Sequence, residues 1–523
     1  MILTSAVSLS AQAPGFRLWG PMIGNETHLL DTGGNLVHTW QHSARPGLGV
    51  YLLPDGDLLR ARHVRRHTTT GGSGGALDRI SFDGSVTWSF SYDTPAGFSH
   101  HDIAPLPNGN VLMIAWEDKT VPEARAAGRN PAFIAGSVFR PDHLIEVQTT
   151  GPQAGTIVWR WHVWDHLIQD YDPEGANFGV VADHPELVDI NYPLDPAQAP
   201  DWNHCNGIDY DPVNDWIVVS AHRQNEIWII DHSTTTAEAA GHTGGRYGKG
   251  GDLLYRWGNP QAYRRGTVAS QQLFGQHAPC FIPPGYPGAG NVMVFNNSLV
   301  TGSEAWELVL PLDASGRFIE PPPTGFFGPT GPVWSAPAPV SSPIVSNAER
   351  LPNGNTLICS GQVGRFSEVD PSGVEVWSHA AQQNVFHAHY VERSLWSDAT
   401  SLNLGEGGSV QFDLVAGSPR AGETYLVLGS ASGTSPGTTV GGLPLPLNPD
   451  SYFVLTATMP SVFPLTETIG TLDGAGRASA TFGLPPGLSF LAGLHVDHAF
   501  LAFDLGSGTT THASNAVPLD LLP

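Results

Sequence analysis

The chain has few cysteines, few basic residues and no long apolar run. Only three of its 523 residues are cysteine, and no C-x-x-C pair occurs, so neither a zinc ribbon nor a disulfide scaffold is indicated. Its 24 Lys and Arg residues face 48 Asp and Glu residues, which gives a formal net charge of -24. This excess argues against a nucleic-acid partner. No apolar stretch reaches the length of a membrane span, so we expect none.

Glycine and proline are abundant, with 61 and 44 residues, and 15 tryptophans accompany them. This composition is typical of many short strands joined by tight turns. The first residues, MILTSAVSLSAQA, combine a short apolar segment with an Ala-x-Ala ending. They resemble the end of a secretory signal, although a simple disordered leader is the alternative. We therefore expect residues 1–14 to be the rest of a signal peptide and the protein to be secreted or periplasmic.

One hairpin motif recurs along the chain. Each copy is an apolar strand, an Asn/Asp-Gly turn and a second apolar strand, which is a tight hairpin signature. The copies are LPDGDLL at Leu53–Leu59, LPNGNVL at Leu106–Leu112 and LPNGNTL at Leu351–Leu357. A second hairpin follows and ends in tryptophan, at Trp88, Trp159, Trp257 and Trp377. Two hairpins per unit predict a four-stranded antiparallel sheet.

Repeated four-stranded sheets with aromatic punctuation indicate a β-propeller. An array of β-sandwiches is the alternative, but it would not need a polar residue at the same point of each first strand. Five units are complete, and a sixth is split between a hairpin ending at Trp40 and the segment NVFHAHYVER near residue 390. We predict an all-β chain: a six-bladed propeller over residues 15–396, then a β-sandwich-like domain over 397–523. That second domain could serve attachment, surface anchoring or stabilisation.

Histidines stand where successive first strands begin. They are His100 and His101 in FSHHDIAPLPNGN, His204 in WNHCNGIDYDP and His277 in FGQHAPCFIPP. In a propeller these positions face the central channel, so the histidines should converge on one site.

Three chemistries could use such histidines: a metal site, a binding channel without catalysis, and nucleophilic catalysis. A metal site is disfavoured because Cys205 and Cys280 lie at offsets that turn them to the opposite strand face from His204 and His277. We expect no metal there and no cofactor. A histidine nucleophile would leave the other histidines to handle protons and charge.

The order of these motifs resembles the bacterial arylsulfate sulfotransferases. The matching pieces are HHD with LPNGN, the block from His204 to Pro212, and Gln276-His277 followed by Phe281. The resemblance covers the propeller region only. It implies a six-bladed propeller that moves a sulfuryl group from an aryl sulfate to a phenol without phosphoadenosine phosphosulfate. Aryl sulfates and phenols would then be the small-molecule partners.

The resemblance also implies roles for individual residues. His277 matches the histidine that is sulfated, while His204 and Asn206 match residues that hold sulfate oxygens. His101, or else His100, matches a further channel histidine, and Asp102, which follows, is a candidate to orient it.

One position departs from the family pattern. Where the family has an arginine, this sequence has His222, and Arg223 follows one residue later. A one-residue shift turns a strand side chain to the other face of the sheet. Three outcomes are therefore open: a bulge points Arg223 into the channel, His222 takes the place of the arginine, or the sulfate site is weakened. Arg365 and Gln362, on the fifth unit, are additional substrate-binding candidates.

Three functions therefore compete. The first is a secreted sulfuryltransferase working through His277, with His204, His101 and Arg223. The second is a catalytically inactive propeller with a binding or structural role. The third is a lyase or hydrolase acting on another anionic substrate.

Overall fold

The computed structural model describes residues 12–64, 71–134, 136–193 and 200–523. The signal-peptide prediction therefore falls almost wholly outside the described residues. With 44% strand and 9% helix, the predicted all-β class is confirmed. The α-helices of the described chain are short: Val121–Ala126, Thr236–Ala239 and Ser451–Thr458. None of these described helices has the length and apolarity that crossing a membrane requires.

Six antiparallel sheets follow one another through the first three quarters of the chain, and we number them 1 to 6. The strands of each are given from the inside outward. Sheet 1 contains Pro46–Leu52, Leu58–His63, Gly75–Ile80 and Val86–Ser91. Sheet 2 contains Gly97–Pro105, Val111–Glu117, Asp142–Val147 and Ile157–His162, with Asp93–Thr94 beside its first strand. Sheet 3 contains Cys205–Asp211, Trp216–Ala221, Glu226–Asp231 and Tyr255–Trp257.

The remaining three sheets have the same antiparallel order. Sheet 4 contains His277–Phe281, Val292–Leu299, Gly302–Leu308 and Trp334–Pro337. Sheet 5 contains Asn347–Arg350, Thr356–Ser360, Arg365–Val369 and Glu375–Ala380. Sheet 6 contains Val385–Val391, Phe16–Pro21, Glu26–Leu30 and Leu36–Gln41, so it joins segments from both ends of the region.

The recurring hairpins close through identical turns. The amide of the turn glycine donates to the carbonyl of the leucine three residues earlier, in Gly56 to Leu53, Gly109 to Leu106 and Gly354 to Leu351. The three glycines have φ values of 99°, 84° and 89°, a region that residues with a side chain rarely adopt. The Asn/Asp-Gly pattern therefore specifies the backbone of each turn.

The inner strands of the six sheets form a closed series. Each contacts the inner strand of the next sheet, and Val385–Val391 of sheet 6 contacts Pro46–Leu52 of sheet 1. Large buried side chains fill the spaces between sheets, among them Trp40, Trp116, Trp216 and Trp228. The architecture is β-propeller-like, and its inner strands surround a common axis.

The C-terminal segment forms two further sheets. One contains Leu395–Ser397, Gly408–Val415, Arg477–Leu484 and Leu465–Thr466. The other contains Ser401–Asn403, Val517–Leu522, His495–Asp504, Thr424–Ser430 and Ile469–Thr471, with Thr509–Ala513 beside His495–Asp504. Phe412, Phe482 and Phe500 belong to one buried cluster that both sheets supply. The boundary near residue 397 stays a prediction, and Trp396 packs back on Phe82 of the first unit.

Three short strand pairs lie outside these sheets. They are Lys119–Thr120 with Val138–Phe139, Leu167–Ile168 with Val188–Asp189, and Thr438–Val440 with Leu443–Leu445. The second pair lies in the long segment between sheets 2 and 3.

Candidate active site

Local backbone distortions hold the candidate histidines. His101 and His204 have φ values of 52° and 51°, and Ala278, directly after His277, has 47°. The ladder between the first and second strands changes register at each of these points. A bulge of this kind re-aims a side chain, and positive φ in a residue other than glycine stores strain that is common at functional sites. Sheets 2, 3 and 4 therefore present histidines to the axis by the same device.

Four histidines form a continuous series across the site. The ring centroids of His101 and His204 are 4.5 Å apart, those of His204 and His222 are 5.2 Å apart, and those of His222 and His277 are 5.2 Å apart. The structure thus brings together the three histidines that the sequence selected, with His222 between two of them. We call these four residues the histidine cluster.

His100 lies behind the cluster and orients His101. Its ring stacks on Trp116 at 3.8 Å, its Nε2 lies 3.1 Å from the Asp142 carboxylate, and its Nδ1 lies 2.7 Å from Nδ1 of His101. If Nε2–H of His100 donates to Asp142, then Nδ1–H of His101 donates to His100. The lone pair of His101 is then on Nε2. Burial, together with the charges of the neighbouring histidines, holds the pKa of His101 well below its ordinary value, so this ring is neutral.

His204 is held by a carboxylate. Its Nδ1 makes a close hydrogen bond with Oδ2 of Asp201, whose Oδ1 accepts from the indole N–H of Trp116 at 2.8 Å. Burial raises the pKa of Asp201, but the charge and hydrogen bond of His204 outweigh that effect and lower it. Asp201 is therefore ionised, and its charge favours a proton on Nδ1 of His204.

His277 presents its Nε2 atom to the cluster. Its Nδ1 lies 2.8 Å from Oδ1 of Asn297 and 3.1 Å from the carbonyl of Gly275, so Nδ1 carries the proton. Nε2 accepts a hydrogen bond from the backbone N–H of Val345 at 3.1 Å. Burial lowers the pKa of His277 to about 4. The ring is therefore neutral near pH 7, and its lone pair is on Nε2.

His222 occupies the place where the family pattern has an arginine. The strand Trp216–Ala221 ends without a bulge, and His222 begins a short 3₁₀ turn. Burial, followed by the charges of His277, His204 and Arg223, lowers the pKa of His222 well below its ordinary value. Arg223 is therefore close enough to act on the cluster electrostatically, and its buried Nε has no hydrogen-bond partner among the described residues.

The other predicted substrate residues differ in their positions. Asn206 is fully buried and donates to the carbonyl of Gln276 at 3.1 Å, which places it directly beside His277. The backbone N–H of Gln362 donates to Oγ of Ser342, three residues before the positive-φ pair Val345 and Ser346. Arg365 instead makes an ion pair with Glu375 at 2.7 Å, and both side chains are 31% exposed. Within the described part of the chain, it makes no hydrogen bond or ion pair with the histidine cluster.

Asp102, which follows His101, does not orient it. Its carboxylate accepts from the Tyr51 hydroxyl and from the amide of Ile103, both at 3.0 Å. It lines a separate cavity of about 270 Å³ with His387 and His389. Burial raises the pKa of Asp102 to about 6. The orienting carboxylates are instead Asp142 and Asp201.

The sequence analysis missed Asp142, Asp201 and Asn297. Asp142 is 42 residues from His100 and begins the third strand of sheet 2, whereas Asn297 is 20 residues from His277 and lies on the neighbouring strand of sheet 4. The nearest available signal was DWNH, where Asp201 stands three residues before His204. All three cysteines, Cys205, Cys280 and Cys359, are free thiols.

Solved structures of low similarity share parts of this fold. Hydrazine synthase of Kuenenia stuttgartiensis is 14% identical, with a TM-score of 0.32, over 56% of this chain and 67% of its own. The periplasmic gluconolactonase of Pseudomonas aeruginosa is 12% identical, with a TM-score of 0.38, over 72% and 99%. A streptogramin B lyase is 11% identical, with a TM-score of 0.33, over 72% and 86%. Similarity at this level supports no inference about the site.

The family comparison is more specific. No curated protein matches the chain. A family model described as "Arylsulfotransferase (ASST)" matches residues 49–394, which is more than half of the chain and contains the whole histidine cluster. The chain therefore belongs to the arylsulfotransferase family of transferases.

Proposed function

We propose that the protein transfers a sulfuryl group from an aryl sulfate ester to a phenol through a sulfated His277. The observation that carries the proposal is the state of His277: a neutral ring whose Nδ1–H is held by Asn297, whose Nε2 lone pair accepts from the Val345 amide, and whose ring lies 5.2 Å from that of His222. A buried neutral imidazole is a competent nucleophile at neutral pH.

In the first step, Nε2 of His277 attacks sulfur, and the bond between sulfur and the aryl oxygen breaks. The phenolate leaves with the electron pair of that bond, and the sulfuryl group remains on His277. The hydrogen bond from the Val345 amide to Nε2 must break before Nε2 can attack sulfur. The amide then faces the sulfuryl oxygens, which need hydrogen-bond donors.

In the second step, a phenol oxygen attacks the sulfuryl group, and the N–S bond breaks. The phenol must lose its proton, and Nε2 of His101 is positioned to accept it, because Nδ1 of His101 is held by His100. The phenolate that left in the first step also needs a proton, and His204, supported by Asp201 between His101 and His222, is placed to relay one to it. General acid–base catalysis of this kind contributes about 10²–10⁴-fold.

Positive charge for the sulfate comes from Arg223. Arg223 acts on His222 through its charge, and its Nε is unpaired among the described groups. Asn206 holds the carbonyl of Gln276 and retains a second amide hydrogen that could contact a sulfate oxygen.

The second candidate is a propeller that binds an anion without catalysis. The observations that favour it are His222 at the family's arginine position and the Val345 amide that engages Nε2 of His277. Secretion to the periplasm or medium, and attachment through residues 397–523, remain proposals from the sequence.

The test is an assay of the purified protein with p-nitrophenyl sulfate, with and without a phenol acceptor. We expect nitrophenol release to be accelerated by the acceptor and to be lost in His277→Ala. Acceptor-independent hydrolysis would favour a hydrolase, and no release together with sulfate-ester binding would favour the inactive propeller.

A further inference from the structure

A second cluster of histidines lies outside the central site. It consists of His166, in the long segment between sheets 2 and 3, and of His242 and Asp252, in the connection between the third and fourth strands of sheet 3. One ligand atom from each residue lies within 4.8 Å of the others. His166 is fully buried, Asp252 is 9% exposed and His242 is 60% exposed.

The hydrogen bonds of this cluster do not balance for a neutral His166. Its Nε2 lies 2.9 Å from the carbonyl of Ala239, which can only accept. Its Nδ1 lies 2.8 Å from Oδ1 of Asp252, which is also an acceptor. A neutral imidazole has one N–H, so one of these contacts would bring a lone pair against an oxygen. A divalent cation between Nδ1 and the Asp252 carboxylate would replace this contact by two metal–ligand bonds.

The same carboxylate oxygen receives a second imidazole. Nδ1 of His242 lies 2.7 Å from Oδ1 of Asp252, and the two rings are nearly perpendicular at 5.8 Å. Two imidazole nitrogens and one carboxylate oxygen thus converge on one point. Imidazole-rich sets of this type suit zinc and other divalent transition metals rather than calcium or magnesium.

The surroundings of His166 are those of a positioned ligand. Its Nε2–H donates to a backbone carbonyl, which fixes the tautomer that leaves Nδ1 free for a metal. Its ring is parallel to Trp161, whose indole N–H donates to the carbonyl of Gly251 at 2.6 Å. A Cβ on Gly251 would lie 2.5 Å from Nε2 of His166, so the glycine allows the two segments to approach.

The geometry requires only a small adjustment. Ligand atoms around a tetrahedral zinc ion are about 3.3 Å apart, given bonds of about 2.0–2.1 Å. The observed nitrogen–oxygen separations of 2.7 and 2.8 Å would increase by about half an ångström, and the exposed ring of His242 is free to move outward. A cavity of about 480 Å³, lined by Asp252, Glu186 and Glu320, gives an ion access from solvent.

We propose that His166, His242 and Asp252 form a binding site for a divalent transition-metal ion such as Zn²⁺, with water completing the shell. The ion would join two segments that are 86 residues apart in the chain. One of them leads to Asp201, which supports His204. The sequence-based expectation of no metal concerned the channel histidines, and this site lies apart from them.

The test uses the full-length protein, stripped with EDTA and dialysed. Calorimetric titration with Zn²⁺ alone should give one ion per chain, and Co²⁺ should give visible absorption bands of a tetrahedral complex. His242→Ala and Asp252→Asn should each weaken binding at least tenfold, and Zn²⁺ should raise the unfolding temperature of the wild type but of neither variant. Both substitutions spare the buried His166, so folding should be retained.

His495→Ala is the matched control, because His495 is a surface histidine that also contacts two carboxylates, Asp497 and Asp520. It should bind Zn²⁺ like the wild type. Absence of Zn²⁺ binding to the wild type would overturn the proposal. Equal binding by His242→Ala and Asp252→Asn, or equal stabilisation of the wild type by Ca²⁺, would overturn it as well.

Discussion

At the scale of single residues, the proposed chemistry depends on the protonation of one buried ring. Burial holds the pKa of His277 at about 4, compared with an ordinary value of 6.5. The contribution of the neutral ring to stability is fully present above about pH 6.5 and is lost as the pH falls towards 4, because the unfolded chain binds the proton first. The same shift keeps the nucleophile available in mildly acidic solution.

The first prediction concerns this pH dependence. In single turnovers with p-nitrophenyl sulfate, the rate of nitrophenol release should not fall between pH 7 and pH 5.5, since His277 remains neutral there. Stopped-flow absorbance at each pH measures it, with circular dichroism to verify folding. A rate that halves near pH 6.5 would show a nucleophile with an ordinary histidine pKa and would contradict the account.

The second prediction concerns the cation. Arg223→Ala should lower kcat/KM for the aryl sulfate about 10²-fold, because a donor that meets developing charge is worth about 10²–10³-fold in comparable sites. Arg223→Lys should recover part of it. Arg365→Ala should have a smaller effect than Arg223→Ala, because Arg365 is paired with Glu375.

Arg246→Ala controls for the loss of one positive charge, since the Arg246 side chain donates to the carbonyl of Asn214 at the surface. If Arg223→Ala were as active as Arg246→Ala, Arg223 would not contribute to sulfate binding, and His222 alone would take the role of the family's arginine.

At the scale of strands, neighbouring inner strands approach so closely that a side chain is excluded. A Cβ on Gly207 would lie 2.8 Å from both the Cα and the amide nitrogen of Ala278. This contact sets the distance between the strand that begins at Cys205 and the strand that begins at His277. The spacing of His204 and His277 therefore depends on a glycine.

The third prediction follows from this contact. Gly207→Ala should destabilise the protein by about 1–3 kcal/mol, the usual cost of overpacking, and should lower turnover by displacing His277. Urea denaturation and the nitrophenyl sulfate assay measure the two effects. Gly331→Ala is the control, because nothing lies within 4 Å of a Cβ there and its φ is not in the left-handed region. Equal behaviour of the two variants would contradict the close approach.

The strands also show which parts of the fold and of the site could be predicted from the sequence. The LPNGN hairpins predicted sheets, because an Asn/Asp-Gly turn between apolar strands has few alternatives. The aligned histidines predicted one site, because inner strands share an axis. The bulges at His101, His204 and Ala278 carry no residue signature, since they depend on register with the neighbouring strand. Asn297 lies on the strand next to that of His277, and Asp142 begins the third strand of sheet 2, so only the assembled sheets reveal them.

At the scale of the whole molecule, the N-terminal strand completes the last sheet. Phe16–Pro21 pairs with Val385–Val391, and Arg17 makes a fully buried ion pair with Glu368 of sheet 5 at 2.7 Å. Glu368 also accepts from the amide of Ala13 and from Asn355. The two ends of the propeller region are thus joined by backbone pairing and by one buried charge network.

The fourth prediction tests this junction. Glu368→Gln should destabilise the protein by about 3–5 kcal/mol, because it leaves the Arg17 charge buried without its partner. The double variant Arg17→Met with Glu368→Leu should recover most of the loss. Glu375→Gln, which breaks the half-exposed pair with Arg365, should cost at most about 1 kcal/mol. Urea denaturation followed by tryptophan fluorescence compares the three, and similar costs for Glu368→Gln and Glu375→Gln would contradict the role of the buried pair.

The central claim is that His277 carries the sulfuryl group between donor and acceptor. The most direct measurement is mass spectrometry of the protein after incubation with p-nitrophenyl sulfate in the absence of any phenol acceptor, with digestion at alkaline pH. If His277 is the carrier, the peptide containing FGQHAPCF should gain one SO₃ group, and addition of a phenol should remove it. His277→Ala should form no adduct. Sulfuryl transfer that persists in His277→Ala, or an adduct on a different residue, would contradict the account.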